Sequence, residues 1–260
     1  MEPTPQLIYE RRGSVGWITF NRPRSRNALT WTMYQRLEDL VGEFNADTSL
    51  RCVVMTGAAG AFVAGTDISQ FREFRTEQDA LDYEAMGDRL YTSLETLRVP
   101  LIAAIAGPCT GAGFGLAGVS DLRIASPSAR LGLPIARTLG NCLSVGNYAR
   151  FSALIGPAKL KELIFLARLI PAEEALRIGL VSEVVPDEAS LLPRAQELAA
   201  VLSNHAPLTM WATKEALRRI VREGTPQDGS DLVSTVYMSH DFREGLDAFL
   251  NKRQPVWTGS

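Results

Sequence analysis

Histidine and cysteine are scarce in this chain, which has two of the first and three of the second in 260 residues. His205 and His240 stand far apart beside helix breaks in the C-terminal part, so the paired-imidazole spacing of a zinc site is missing and both read as capping or surface groups. Cys52, Cys109 and Cys142 are an odd set with no metal or disulfide spacing. They read as reduced thiols of a reducing compartment. Charge of one sign is lacking too. With 27 Lys and Arg against 29 Asp and Glu, there is no basic field for nucleic acid and no polybasic footprint for a membrane. An anionic ligand then has to be held by local cations and backbone amides. No long uninterrupted apolar run occurs. The most apolar stretch, Leu101 to Val119, carries Pro108 and five glycines, which would leave backbone groups unpaired in lipid. The opening MEPTPQLIYE has neither a basic nor an apolar region of a secretion signal, so a cytoplasmic location is expected. A G-x-S-x-G elbow, a P-loop, internal repeats and low-complexity tracts are all missing.

What is present is an ordinary globular composition, 46% hydrophobic and 22% charged, enough for one large domain or a core with a helical appendage. Val15 to Phe20 alternates as a strand does, and the turn-rich NRPRSRNALT ends at an expected N-cap, Thr30. Met33, Leu37, Leu40, Val41 and Phe44 recur at helical spacing. Cys52 to Thr56 reads as a buried strand, and FREFRTEQDA as an exposed, mobile segment. Leu90, Leu94 and Leu97 mark the face of a helix stopped at Val99-Pro100. Leu101 to Ala106 and Asp121 to Ala125 read as strands around a glycine-rich helix start. Pro171 at N1 and Gly179 at C′ bracket PAEEALRIG, and LVSEVV follows as a strand. From Asp187 onward the pattern is helical, broken at His205-Ala206-Pro207 and Gly224-Thr225-Pro226. Alternating strands and helices followed by helices alone point to an α/β core with a helical C-terminal part.

Gly113 to Gly118, GFGLAG, matches the dinucleotide pattern G-x-G-x-x-G. That fingerprint needs an acidic residue roughly 20 positions on, and LGLPIAR offers none there. The same small residues let N–H groups at a helix start approach an oxygen that becomes anionic during reaction. Ala61 to Ile68, AFVAGTDI, has the same character, with Asp67 as an expected N-cap. Taken alone, each reads as an ordinary tight helix–strand junction; converging, they would form an oxyanion hole.

NRP-x3-NAL, TG…AF-x-AG-x-D, VP-LIAAI-x-G-P, DLRIAS, A-x-EAL-x-x-GLV-x-EVV and REG-x-x-AF-x-x-KR-x-PVW follow one another from Ile8 to Trp257. In this order the chain resembles the crotonase (enoyl-CoA hydratase/isomerase) superfamily, its tail most like the carnitinyl-CoA dehydratase branch. The resemblance implies an α/β fold, a spiral of β-β-α turns over residues 1–195 holding an acyl-CoA pocket. Residues 196–260 would be a helical region that packs a homotrimer or a hexamer of paired trimers. It implies that the backbone N–H groups of Thr66 and Ala112 bind the thioester carbonyl and stabilise an enolate. Ala28, Ala64, Asp67 and Ile68 fall among positions lining CoA, and Lys252 where a basic residue meets CoA phosphates across a subunit boundary. Arg24 is a further CoA candidate, or a solvated loop charge. No separate cofactor is implied, because coenzyme A enters with the substrate.

The family's hydratases place two glutamates around a water. By position these fall on Gly115 and Ile135, and a shift of one brings Ala136, so no carboxylate stands at either place. Replacements would come from Arg137, Asn141, Cys142 and Ser144, or from Tyr83, Glu84 and Asp88, each of which also has a structural reading as a solvated charge or packing group. Three outcomes are left open: an acyl-CoA hydratase, dehydratase or isomerase with non-standard acid–base groups, a CoA-thioester decarboxylase or hydrolase, and an acyl-CoA binder with weak or no chemistry. A CoA-independent enzyme on the same scaffold would show no CoA affinity.

Overall fold

The computed structural model describes residues 5–223 and 229–260. The expected break at Gly224-Thr225-Pro226 lies outside them, as do the first four residues of the N-terminal stretch. The chain opens with a hairpin, β1 (Leu7–Arg12) and β2 (Val15–Phe20), paired antiparallel with Leu7 opposite Phe20. α1 (Trp31–Ala46) starts at Thr30, whose hydroxyl accepts the Met33 N–H. β3 (Cys52–Gly57), α2 (Glu77–Glu95), β4 (Leu101–Ile105), β5 (Pro108–Thr110), α3 (Ala112–Gly118) and β6 (Leu122–Ala125) follow. Next come β7 (Arg130–Gly132), α4 (Ile135–Thr138), α5 (Val145–Ile155), α6 (Pro157–Phe165), β8 (Ile170–Pro171), α7 (Ala172–Arg177) and β9 (Glu183–Val184). The C-terminal part is α8 (Leu191–Ser203), α9 (Pro207–Glu223), α10 (Ser230–Tyr237) and α11 (His240–Leu250).

Six strands form one sheet in the order β1-β2-β3-β4-β6-β9, parallel except for β1, and β5, β7 and β8 form a second, smaller sheet. The central strands β2, β3 and β4 of the larger sheet are apolar on both faces, as a mainly parallel sheet covered by helices requires. Its side chains alternate: Leu101, Ala103 and Ile105 of β4 join the core beneath α1, α2 and α3, while Ile102 and Ala104 join a second core under α8. Leu191, Ala195 and Ala199 of α8 are buried in that second core, with Leu198 and Leu202 packed against it. The division expected after residue 195 therefore falls inside one helix that covers one sheet.

Some local expectations hold and others are corrected. The segment 71–80 is mostly exposed, as expected, but its aromatics turn inward and pack. Phe71 stands 4.8 Å from Tyr83 and 5.0 Å from Phe74 between ring centroids, and Trp31 stacks on Phe74 at 6.5 Å. Edge-to-face rings of this kind hold a loop that its charged residues alone would leave solvated. Pro171 is the residue before the first turn of α7 rather than its N1, while Gly179 does take the left-handed φ of 74°. LVSEVV contributes only the two residues of β9. The chain is not helical to its end. After Leu250 the tail turns back, Arg51 donating to the Trp257 carbonyl and Asp241 accepting the Thr258 and Gly259 N–H groups.

Candidate active site

Three segments meet beside α2. The first, residues 22–28, is held by Asn27, which is fully buried in a left-handed backbone conformation. Its Oδ1 accepts the Arg22 N–H, and its Nδ2 donates to the carbonyls of Ala58 and Ala61. The second segment, 61–68, is tied to the first by Ala64 donating to the Arg26 carbonyl and by the Arg22–Asp67 ion pair at 2.7 Å. The third, 107–113, runs alongside the second through the Val63–Cys109 bridge. Their approach is close. A Cβ on Gly113 would stand 2.0 Å from the Val63 carbonyl oxygen, and one on Gly111 3.4 Å from the Cα of Gly65. Only glycine at 113 permits that contact.

This packing brings Gly65-Thr66 against Gly111-Ala112, the convergence that the sequence leaves open. Ala112 is the first residue of α3, so its N–H has no helical partner. Among the described residues, neither that N–H nor the one of Thr66 donates to a protein acceptor. A cavity of about 50 Å³ adjoins Ala112, walled by Tyr34, Tyr83, Glu84, Tyr91 and Ile135. The Thr66 hydroxyl bonds the Tyr34 hydroxyl at 2.8 Å and that of Tyr83 at 3.0 Å, and the Tyr91 hydroxyl donates to the Ala112 carbonyl at 3.3 Å. Burial pushes all three phenols up, away from ionisation at neutral pH. Burial also raises the Glu84 carboxyl, helped by the charge of Asp88 and opposed by the Ser144 N–H.

Gly115 is buried beneath Tyr91. A Cβ there would come within 2.2 Å of the Tyr91 hydroxyl oxygen, so the phenol fills the room that a side chain at 115 would need. Ile135 opens α4 as a buried cavity wall. Ala28 is buried at the end of the first segment, Ala64 is half-buried and Ile68 is exposed. Both Asp67 oxygens are engaged, Oδ1 by Ser69 and Oδ2 by Arg22, and these contacts, Ser69 foremost, hold its carboxyl below the usual range. Arg24 is exposed on its loop. Lys252 is exposed after α11, away from the three segments in sequence, with a left-handed φ of 52°.

Of the other acid–base candidates, Asp88 is paired with Arg150 at 2.8 Å, and Ser144 caps α5 by accepting the Asn147 N–H. Arg137 and Cys142 are exposed, while Asn141 reaches the cavity. A larger cleft of about 810 Å³ lies between α5 and α9, where Lys214 pairs with Asp121 at 2.6 Å and Arg150 with Glu95 at 3.0 Å. No cluster of His, Cys, Asp or Glu fit to hold a metal, and no helix long and apolar enough to cross a membrane, occurs among the described residues.

A family model described as enoyl-CoA hydratase/isomerase matches residues 10–260. The chain belongs to the enoyl-CoA hydratase/isomerase family. It is 34% identical to a short-chain-enoyl-CoA hydratase of Clostridium acetobutylicum over 95% of both chains. It is 33% identical to the 2,3-dehydroadipyl-CoA hydratase of Escherichia coli, covering 98% of this chain and 99% of the relative. The crystal structure of an enoyl-CoA hydratase/carnithine racemase from Magnetospirillum magneticum superposes with a TM-score of 0.91 at 29% identity, over 99% of this chain and 97% of the other. The α/β fold is thus that of the crotonase superfamily, and the chain is an enzyme-family protein of acyl-CoA chemistry. Sequence reasoning missed Asn27 and Arg22 as the braces of this family site, although both lie in NRP-x3-NAL. It also missed Tyr34 and Tyr91, whose helical spacing in α1 and α2 marks them only as core.

Proposed function

We propose that this chain binds an acyl-CoA and stabilises the enolate of its thioester with the backbone N–H groups of Thr66 and Ala112. The observation that carries the reading is the meeting of two small-residue segments, each with an N–H that no protein acceptor engages. Donors so preorganised need no rearrangement as charge develops on the carbonyl oxygen, and each is worth roughly 3–4 kcal/mol. The Tyr34–Thr66–Tyr83 hydroxyl cluster is neutral and adds no negative charge of its own to oppose the enolate. Ala28, Ala64, Asp67 and Ile68 line the path of the CoA moiety, with Lys252 supplied by a neighbouring subunit. The names of the relatives, both hydratases of CoA thioesters, favour hydration or its reverse.

Ala112→Pro tests the reading. Proline is accepted at the first helical position but carries no N–H. Expected is a folded protein whose turnover of crotonyl-CoA falls by about 10²–10³. Undiminished turnover would refute it. A second reading, decarboxylation of a CoA thioester or acyl-CoA binding with little chemistry, is favoured by Gly115 and Ile135, which bring no carboxylate to the two expected places. Mass-spectrometric products from a thioester panel separate the two. The exposed Phe249, Leu250 and Met238 of the C-terminal part support packing into a homotrimer or hexamer.

A further inference from the structure

We propose that Glu84 is the acid–base group of this pocket, exchanging a proton between its carboxyl and the α-carbon of the bound acyl thioester. The proposal rests on the enolate reading above and deepens it. Among the described residues, Glu84 is the one carboxylate that walls the 50 Å³ cavity beside Ala112. It belongs to a face of α2 that also carries Tyr83, Gly87 and Tyr91, spaced so that successive turns present them to the same space. Gly87 adds no bulk one turn beyond, and a Cβ there would meet nothing within 4 Å.

The carboxyl is positioned but not consumed by the fold. Its Oε2 accepts the Ser144 N–H at 2.9 Å, which ties α2 to the start of α5, and no protein donor among the described residues engages Oε1. The neighbouring acid, Asp88, is by contrast held in the Arg150 network with Glu95 and Thr92. Burial favours the protonated form of Glu84, which suits a group that must both give and take a proton near neutrality. The phenols cannot take this role as bases, since burial keeps them neutral.

In the acid direction the Glu84 O–H bond breaks and its proton joins the α-carbon. The enolate's carbon–carbon π pair becomes the new C–H bond, the oxyanion pair re-forms the thioester carbonyl, and Glu84 is left as carboxylate. In the base direction each change reverses. Either half needs no other reactant.

The test is exchange of the α-protons of butyryl-CoA in D₂O, read by mass spectrometry, with affinity read by calorimetry on the full chain. Glu84→Gln keeps an acceptor for the Ser144 N–H while removing the titrating proton. Expected is a loss of exchange of about 10²-fold or more, with butyryl-CoA affinity and thermal midpoint unchanged, and partial recovery in Glu84→Asp. Exchange at the wild-type rate in Glu84→Gln overturns the assignment. Failure of the enolate reading looks different: the wild-type chain does not bind butyryl-CoA, binds it without exchange, or Ala112→Pro exchanges as fast as wild type.

Discussion

Gly115 and Tyr91 form one unit at the scale of single residues. Glycine at 115 leaves a gap in α3, and the Tyr91 ring of α2 fills it, with Cζ 2.3 Å from where a Cβ would stand. A carboxylate therefore cannot simply be put back at 115. Gly115→Ala alone is expected to cost about 1–3 kcal/mol in urea denaturation, the usual range for overpacking a core. Tyr91→Ala alone should cost about 3–5 kcal/mol through the cavity it leaves. In the double variant the added methyl occupies part of that cavity. The combined cost should then fall below the sum of the two by at least about 0.5 kcal/mol, the range of coupling for residues in contact. Simple additivity would show that the ring does not own the space above position 115.

Asn27 illustrates a different point at the same scale. It is buried, left-handed and fully bonded. Asparagine tolerates this conformation better than most residues, and its amide supplies both the acceptor and the donors that the neighbouring backbone lacks. Its place in NRP-x3-NAL was legible, but not its work, because the three carbonyl and amide groups it satisfies come from two segments more than thirty residues apart in the chain.

At the scale of elements, the end of α11 holds the lysine proposed to meet CoA in a strained backbone conformation. Arg253 donates its N–H to the Ala248 carbonyl and Lys252 to that of Phe249, so the helix closes in a Schellman arrangement with Lys252 at the left-handed position that glycine usually takes. Holding a side chain there costs roughly 1–2 kcal/mol. Lys252→Gly is accordingly expected to raise the stability of the folded chain by about 1 kcal/mol, measured by denaturant midpoint, while weakening CoA binding in calorimetry. Gain of stability without loss of affinity would remove Lys252 from the ligand site. Helix α2 shows the other side of element-scale logic. Leu90 and Leu94 lie in the core as their spacing predicts, yet the same helix carries Tyr83 and Glu84 to the cavity. Apolar spacing finds the buried stripe and says nothing about what the neighbouring stripe faces.

At the scale of the whole molecule, the six-stranded sheet carries helices on both faces, but the C-terminal helices keep large apolar side chains in solvent. Phe249 is 83% exposed and Leu250 69%. A cluster of this kind at the end of a chain calls for a partner surface, and a homotrimer, alone or paired, is the assembly proposed for it. Light scattering is expected to give three or six times the mass of one chain, and Phe249→Glu to lower that number. A monomer at micromolar concentration would exclude the assembly and leave Lys252 without a neighbouring site to reach.

The alternation of β2, the short apolar runs of β3 and β4, the amphipathic stripes of α1 and α2, and the turn chemistry at Thr30 and Gly179 were determined by the sequence itself. Each depends on residues within a few positions of one another, whose spacing is read directly. The motif order also carried the family, because small residues at fixed places in loops mark backbone that must pass close to something. What passes close was decided only in three dimensions. The meeting of Gly65-Thr66 with Gly111-Ala112, the filling of the space over Gly115 by Tyr91 and the arrival of Glu84 at the cavity all join segments distant in the chain. Their contacts arise from how α2 and α3 pack on the sheet, and no local periodicity encodes that packing.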